Sequence, residues 1–181
     1  MKSALILHGT DNTSQGNWFP WLKGKLEERS YKVWVPDLPQ ADKPSIKRYN
    51  EFLLSSDFDF NNILLIGHSS GAVACLGLLQ NLPDGVVIDK AILIGAFRET
   101  IDWDRAPELF SEPLDYEKIK SHAKEIIFIH SDNDPYCPLD HAEFLAKELN
   151  GKLIVKKGEK HFSTETMGDK YKQFPFILEV I

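Results

Sequence analysis

Short runs of apolar residues recur along the chain, and polar segments separate them. Each run is continuous rather than alternating with polar residues, which is typical of parallel β-strands that are buried on both faces. We therefore predict six strands, at residues 4–7, 33–35, 63–66, 91–94, 126–129 and 153–155.

Segments with helical periodicity lie between these runs. Their apolar side chains recur mostly at intervals of three or four residues, which places them on one face of a helix. The stripes are Trp18, Leu22 and Leu26; Ile46, Tyr49 and Leu53; Ala72, Leu76 and Leu79; Phe144, Leu145 and Leu149; and Phe174, Ile177 and Ile181. Because strands and helices alternate from end to end, we expect a single α/β domain over residues 1–181, with right-handed crossovers.

The connection after the fourth predicted strand is longer than a crossover requires. It covers residues 97–118 and contains Trp103, Phe110 and two prolines. Two interpretations stay open. The segment is either a crossover helix with an irregular start or a small cap over a pocket, since long ordered loops often carry binding sites.

Composition and charge narrow the class of protein. The chain has 181 residues, of which 43% are hydrophobic and 27% charged, as in soluble globular proteins. Its 27 acidic and 21 basic residues give a formal net charge of -6, which argues against a nucleic-acid partner. The N-terminal apolar run is too short for a signal peptide, and no run approaches a membrane span of roughly 18 residues. Cys75 and Cys137 have no C-x-x-C spacing, so we expect a cytoplasmic protein without a membrane partner.

The strongest chemical signal is the sequence Gly-His-Ser-Ser-Gly at residues 67–71. It directly follows the predicted strand 63–66 and precedes a helical stripe, so it predicts a nucleophile elbow. This sharp strand-to-helix turn requires glycines where a Cβ would crowd the backbone. Ser69 is the predicted nucleophile because the central position is the exposed one. A plain glycine-rich turn is the alternative.

A serine hydroxyl needs a base that removes its proton, and the chain offers six histidines. His161 follows the last predicted strand, and loops at the carboxyl ends of parallel strands converge on one crevice. We therefore expect His161 to reach Ser69. His68 lies inside the elbow and is expected to support its shape. Surface or packing roles are expected for His122, His130 and His141.

The acid that orients this base should come from the loop after the fifth strand. That loop, residues 131–138, reads Ser-Asp-Asn-Asp-Pro-Tyr-Cys-Pro. We predict Asp134, because the two prolines fix the backbone after it, and Asp132 is the alternative. The resulting order of Ser, Asp and His along the chain is that of α/β-hydrolases.

An oxyanion hole requires two backbone N–H groups beside the nucleophile. Ser70 is expected to supply one of them, since it directly follows Ser69. The other is expected from Thr10, in the His-Gly-Thr loop after the first strand, where a glycine permits a close approach of the backbone.

These residues give the chain a family resemblance. It resembles the small serine-hydrolase family that includes retinoblastoma-binding protein nine and its bacterial relatives. The matching segments are Leu-Ile-Leu-His-Gly at 5–9, Trp-Phe-Pro-Trp-Leu at 18–22, Val-Pro-Asp-Leu-Pro at 35–39 with Pro44, the elbow with the alanine after it, residues 131–138, and His161 with Phe162.

The resemblance covers essentially the whole chain. It implies a three-layer αβα sandwich, a minimal α/β-hydrolase fold whose six-stranded, mostly parallel sheet has the order 2-1-3-4-5-6. It also implies that Ser69, Asp134 and His161 form the catalytic triad. Two residues depart from the family pattern: Lys160 stands where a glycine usually precedes the histidine, and Tyr49 where a tryptophan is expected.

The expected function is hydrolysis of a small-molecule carboxylic ester, with thioesters and amides as further substrates, and without a cofactor or metal. Trp18, Trp103 and Tyr136, taken as exposed aromatics, are candidates for an acyl pocket. The alternative is a protein-binding module on the same scaffold, although no L-x-C-x-E motif supports a retinoblastoma-type partner. A metal hydrolase built on Asp132 and Asp134 is disfavoured because the histidines lack ligand spacing.

Overall fold

The computed structural model describes residues 2–100 and 108–181, and the sheet in this part of the chain has six strands. These are β1 (Lys2–Leu7), β2 (Tyr31–Trp34), β3 (Leu64–His68), β4 (Lys90–Ile94), β5 (Ile126–Ser131) and β6 (Lys152–Lys156). Every pair of neighbours is parallel, and the order is β2-β1-β3-β4-β5-β6. The predicted α/β class and the sheet order implied by the resemblance are confirmed.

Helices connect the strands. They are α1 (Phe19–Glu27), α2 (Ile46–Leu54), α3 (Ser70–Asn81), α4 (Tyr116–Ser121), α5 (Leu139–Glu148) and α6 (Thr164–Met167). Local chemistry marks their starts: Pro20 lies in the first turn of α1, and Ser45 caps α2 by accepting the N–H of Arg48. The closing helix predicted from Phe174 and Ile177 is a 3₁₀ helix, Pro175–Glu179, in which residues three apart share one edge. A second 3₁₀ helix, Gly168–Lys172, precedes it.

The sheet is covered on both faces. Alternate strand residues point to opposite sides, so that Leu5 and Leu65 pack under α2, α3 and α5. Their neighbours Ile6 and Ile66 pack with α1 and the C-terminal 3₁₀ helix. Tyr49, the departure from the family pattern, is fully buried in the first of these cores. The result is a three-layer arrangement, which explains why the strands read as continuous apolar runs.

The carboxyl ends of the strands form one edge of the sheet. The register pairs His68 with Ile94, and Ser131 with Lys156. The loops after β3 and β4, and those after β5 and β6, therefore begin level with each other, which is where α/β sheets hold their ligands.

The long connection between β4 and β5 contains the crossover helix α4, capped by Asp115. Part of the segment predicted as a cap or crossover, residues 101–107, lies outside the described residues. In residues 2–100 and 108–181, no helix combines the length and the apolar character that a membrane crossing needs.

Candidate active site

Ser69 occupies the turn between β3 and α3, and its backbone adopts φ 57° and ψ -127°. A positive φ is unfavourable for a residue with a Cβ, so the surrounding structure must hold the turn. Its N–H donates to the Ile94 carbonyl on β4 at 2.8 Å, and its carbonyl accepts from Ala72 and Val73 in the first turn of α3. Ser69 remains partly exposed. This geometry is that of the predicted nucleophile elbow.

The two elbow glycines are in tight contact with backbone. A Cβ added at Gly71 would lie 2.4 Å from the carbonyl oxygens of both Leu7 and His8. A Cβ at Gly67 would lie 2.5 Å from the Gly71 carbonyl oxygen. The predicted crowding is confirmed, and it brings β1 and its following loop directly against the elbow.

Asp134 and His161 meet at this edge of the sheet. The His161 Nδ1 lies 2.7 Å from the Asp134 Oδ2, and the two side chains are 7% and 1% exposed. The other oxygen of Asp134 accepts the backbone N–H groups of Tyr136 and Cys137 at 2.9 and 3.0 Å. Burial opposes ionisation, but the hydrogen bond and charge of His161, with these two donors, lower the pKa of Asp134. The carboxylate is therefore an acceptor, and the His161 proton resides on Nδ1.

The loop after β5 carries Asp134 and is called the acid loop; the loop after β6 carries His161 and is called the histidine loop. The other polar residues of the acid loop contact the histidine loop and not the His161 side chain. Asp132, the alternative acid, is exposed and accepts the N–H of Gly158 at 2.8 Å. The Asn133 side-chain oxygen accepts the N–H of Lys160 at 2.9 Å. These bonds join the loops after β5 and β6, so that Asp132 and Asn133 fix the backbone that carries His161.

The histidine loop has a constrained backbone. Lys160 adopts φ 47°, a conformation that favours the glycine usual in the family at this position. His68 of the elbow donates from Nε2 to the His161 carbonyl at 2.8 Å. Burial, followed by the charge of His161, lowers the pKa of His68 to about 3, so this ring is neutral. The expected supporting role of His68 thus has a specific form, a direct bond from the elbow to the histidine loop.

Thr10 and Ser70, the residues predicted for the oxyanion hole, are joined by a hydrogen bond of 2.8 Å between their hydroxyl oxygens. Gly9 lies directly against the elbow, where an added Cβ would be 3.0 Å from the Ser69 Cβ. Within the described ranges, the backbone N–H groups of Thr10 and Ser70 have no acceptor. Two backbone donors without an acceptor in the described part of the chain therefore flank Ser69, one in the loop after β1 and one at the start of α3.

The three aromatic candidates for an acyl pocket differ. Trp18 is fully buried in the core, and its indole N–H donates to the Phe162 carbonyl at 3.1 Å, so its predicted exposure is wrong. Trp18 directly precedes α1 and packs in the same core as the buried residues Leu22 and Leu26 of that helix, which explains its burial. Trp103 lies outside the described residues. Tyr136 is 45% exposed; its ring stands edge-on to His161 at 5.0 Å between centroids, and its hydroxyl donates to Glu165.

Potential metal ligands also occur here. Asp134, Cys137 and His161 each place one ligand atom within 4.8 Å of the others. However, the carboxylate and the imidazole already form a hydrogen bond, and burial raises the pKa of the Cys137 thiol well above its ordinary value. A protonated thiol is a poor ligand, so the group suits proton transfer better than metal binding.

Two residues support the site in roles that were not predicted. Gly95 adopts φ 62° beneath the histidine, and an added Cβ would lie 3.3 Å from the His161 Cε1. Its place directly after the run 91–94 was an available signal. His130 is fully buried on β5 and donates from Nε2 to the Cys137 carbonyl at 2.8 Å, which holds the acid loop. No sequence signal shows that its ring faces that loop.

A cavity of about 310 Å³ lies elsewhere, between α2, α3 and residues 109–114. Ile46, Asn50 and Gln80 contribute to its wall, whereas Ser69, Asp134 and His161 do not. A small apolar cluster adjoins the site more closely and consists of Val73, Phe97, Leu109 and Cys137.

Known proteins are similar to this chain in sequence over most of its length. YdeN of Bacillus subtilis (strain 168) is 25% identical to this chain, over 99% of the chain and 94% of YdeN. The serine hydrolase RBBP9 of Rattus norvegicus is also 25% identical, over 86% of the chain and 83% of that protein.

Solved structures show the same fold. The ydeN gene product of B. subtilis superposes with a TM-score of 0.89 at 24% identity, over 99% of this chain and 96% of that one. The methylesterase MES16 of Arabidopsis superposes with a TM-score of 0.65 at 16% identity, over 99% and 98% of the two chains. A family model described as serine hydrolase matches residues 4–180. The chain therefore belongs to the serine hydrolase family.

Proposed function

We propose that this chain hydrolyses carboxylic esters, with Ser69 as the nucleophile, His161 as the base and Asp134 as the acid that orients His161. The observation that carries the proposal is the 2.7 Å hydrogen bond between the His161 Nδ1 and the Asp134 Oδ2, on the sheet edge that also carries Ser69. A buried imidazole that is oriented by a carboxylate, beside a strained and partly exposed serine, is what activation of a serine nucleophile needs.

The first half of the reaction acylates the serine. Because Asp134 accepts the proton on Nδ1, the His161 Nε2 has a free lone pair and takes the proton from the Ser69 Oγ. The oxygen bonds to the ester carbonyl carbon and forms a tetrahedral intermediate. When this collapses, the C–O bond to the alcohol breaks, and His161 returns the proton to the departing oxygen.

The second half releases the acid. A water molecule gives a proton to His161 and bonds to the acyl carbon, the bond to the Ser69 Oγ breaks, and the serine recovers its proton. In both halves, negative charge develops on the carbonyl oxygen. The N–H groups of Thr10 and Ser70, which have no acceptor in the described part of the chain, would stabilise it.

Two apolar residues neighbour the reacting residues through backbone hydrogen bonds. The Val73 N–H bonds to the Ser69 carbonyl, and the Cys137 N–H bonds to Asp134, so two members of the apolar cluster adjoin the reacting residues. The methylesterase among the structural relatives is consistent with ester chemistry on this fold.

Hydrolysis of p-nitrophenyl acetate tests the proposal. Ser69→Ala should lower kcat by at least about 10⁴-fold. Ser70→Ala is the matched control, because it keeps the backbone N–H and removes only the hydroxyl bonded to Thr10. We expect the control to stay within about tenfold of the wild type, since it keeps its oxyanion donor. Equal turnover by the wild type and Ser69→Ala would refute the proposal.

A further inference from the structure

His8 lies between β1 and Gly9 and is 1% exposed. Its Nε2 accepts the N–H of Leu38 at 2.9 Å, and its Nδ1 lies 2.8 Å from the Gly9 carbonyl oxygen. Because a backbone amide can only donate, Nε2 carries no proton in this arrangement. The single ring proton therefore resides on Nδ1 and is donated to the Gly9 carbonyl.

The ring is held in this one state. Burial lowers the pKa of His8, and the Gly9 bond and the charge of Asp37 offset this only in part. A neutral ring with a bare Nε2 can donate only from Nδ1. The contact with Leu38, on the loop after β2, also fixes the orientation of the ring plane.

The hydrogen bond from His8 to the Gly9 carbonyl acts on the peptide that joins Gly9 to Thr10. The peptide between Gly9 and Thr10 is planar and trans, so its carbonyl and its N–H point in opposite directions. Glycine lets such a peptide rotate with little steric cost. A rotated peptide would turn the Gly9 carbonyl oxygen toward the place of the Thr10 N–H, where it would repel a developing oxyanion.

We propose that His8 is a positioning residue, which holds the Gly9 carbonyl and thereby directs the Thr10 N–H toward the substrate. This inference rests on the proposed function. Gly9 packs against the elbow, with an added Cβ only 3.0 Å from the Ser69 Cβ. The Thr10 hydroxyl bonds to Ser70, so the peptide lies beside the nucleophile. His8 removes the rotational freedom that Gly9 introduces.

Two substitutions separate the two hydrogen bonds of His8. In His8→Asn, the side-chain NH₂ lies near the position of Nδ1 and keeps the donor to Gly9, while the acceptor for Leu38 is lost. In His8→Gln, the longer side chain places its oxygen near Nε2 and keeps that acceptor, while the donor to Gly9 is lost. Each variant loses one buried hydrogen bond, so we expect similar decreases in Tm.

The esterase activities should differ. Loss of one oxyanion donor typically costs about 10²-fold or more in kcat, so we expect kcat of His8→Gln to fall by about that factor with an unchanged KM. For His8→Asn, kcat should stay within about tenfold of the wild type, because its oxyanion donor is retained. Equal losses in the two variants, or losses that follow Tm, would overturn the inference.

If His8→Gln does not fold, the activity of His8→Asn alone decides the inference. In that case retained activity in His8→Asn supports the inference, and a hundredfold loss there with an intact fold overturns it. The proposed function is checked first on the wild type. If the wild type has no esterase activity, or forms its acyl intermediate away from Ser69, the proposed function and this inference both fail. If acylation of Ser69 is normal and only the variants disagree, this inference alone fails.

Discussion

Replacement of Asp134 by asparagine should abolish most activity while leaving the fold intact. One oxygen of Asp134 accepts two backbone N–H groups, from Tyr136 and Cys137. The oxygen of an asparagine would keep those bonds, which turns its NH₂ group toward His161. The His161 Nδ1 must then accept a hydrogen bond, so the ring proton moves to Nε2, where it blocks transfer from Ser69.

This wrong tautomer costs about 10⁴-fold in kcat in serine hydrolases with the same triad logic. At 1.36 kcal/mol for each factor of ten, the loss corresponds to about 5 kcal/mol of transition-state stabilisation. The assay is the steady-state hydrolysis of p-nitrophenyl acetate, with Tm recorded for each variant.

Asp132→Asn is the matched control two residues away. Asp132 accepts the N–H of Gly158, and an asparagine oxygen can accept the same bond. We expect its kcat to stay within about tenfold of the wild type, because that bond does not set the tautomer of the base. A larger loss in Asp132→Asn than in Asp134→Asn would refute the assignment of the acid.

Three further predictions concern stability, each measured by urea unfolding. Lys160→Gly should raise the free energy of unfolding by up to about 1 kcal/mol, because Lys160 adopts φ 47°, which glycine tolerates better. The control is Lys157→Gly, at a position without a positive φ, and it should lower the free energy of unfolding by about 0.5–1 kcal/mol. Gly71→Ala should lower the free energy of unfolding by about 1–3 kcal/mol or more, because the added Cβ would lie 2.4 Å from two carbonyl oxygens. The control Gly24→Ala, in a helix and with open space around it, should raise the free energy of unfolding by about 0.5–1 kcal/mol. The pKa of His68 is lowered to about 3 in the folded state, so the unfolded chain binds the extra proton and stability should fall as the pH decreases below about 6.5. His68→Gln keeps a donor for the His161 carbonyl without a titrating ring, and an equally steep loss of its stability between about pH 7 and pH 4.5 would contradict that reasoning.

The strands were predictable because a parallel sheet buried on both faces requires continuous apolar runs. Their ends were less so: β5 continues beyond residue 129 through His130 and Ser131, because the ladder to β6 extends to the pairing of Ser131 with Lys156. Polar residues can belong to a strand through their backbone hydrogen bonds, and a search for apolar runs does not detect them. Trp18 was assigned both to a helical stripe and to an exposed pocket, and the stripe was the correct guide, since Trp18 directly precedes α1 and packs in the same buried core as Leu22.

The meeting of Asp134 with His161 followed from strand topology, because loops at the carboxyl ends of parallel strands must converge. The supporting contacts could not be predicted in the same way. Asn133 bonds to Lys160, and His8 bonds to Leu38, across loops that are distant in sequence. Such bonds depend on where each neighbouring strand ends relative to the next, and no local pattern of residues encodes that position.

Covalent labelling with a fluorophosphonate probe shows which residue of the native protein is the nucleophile. The native protein is treated with the probe, and intact mass followed by peptide mapping locates the adduct. We expect one adduct per chain, on Ser69, no adduct on Ser69→Ala, and none on protein unfolded in urea. Labelling of Ser69→Ala to the same extent as the wild type, or an adduct on any other residue of the native chain, would contradict it.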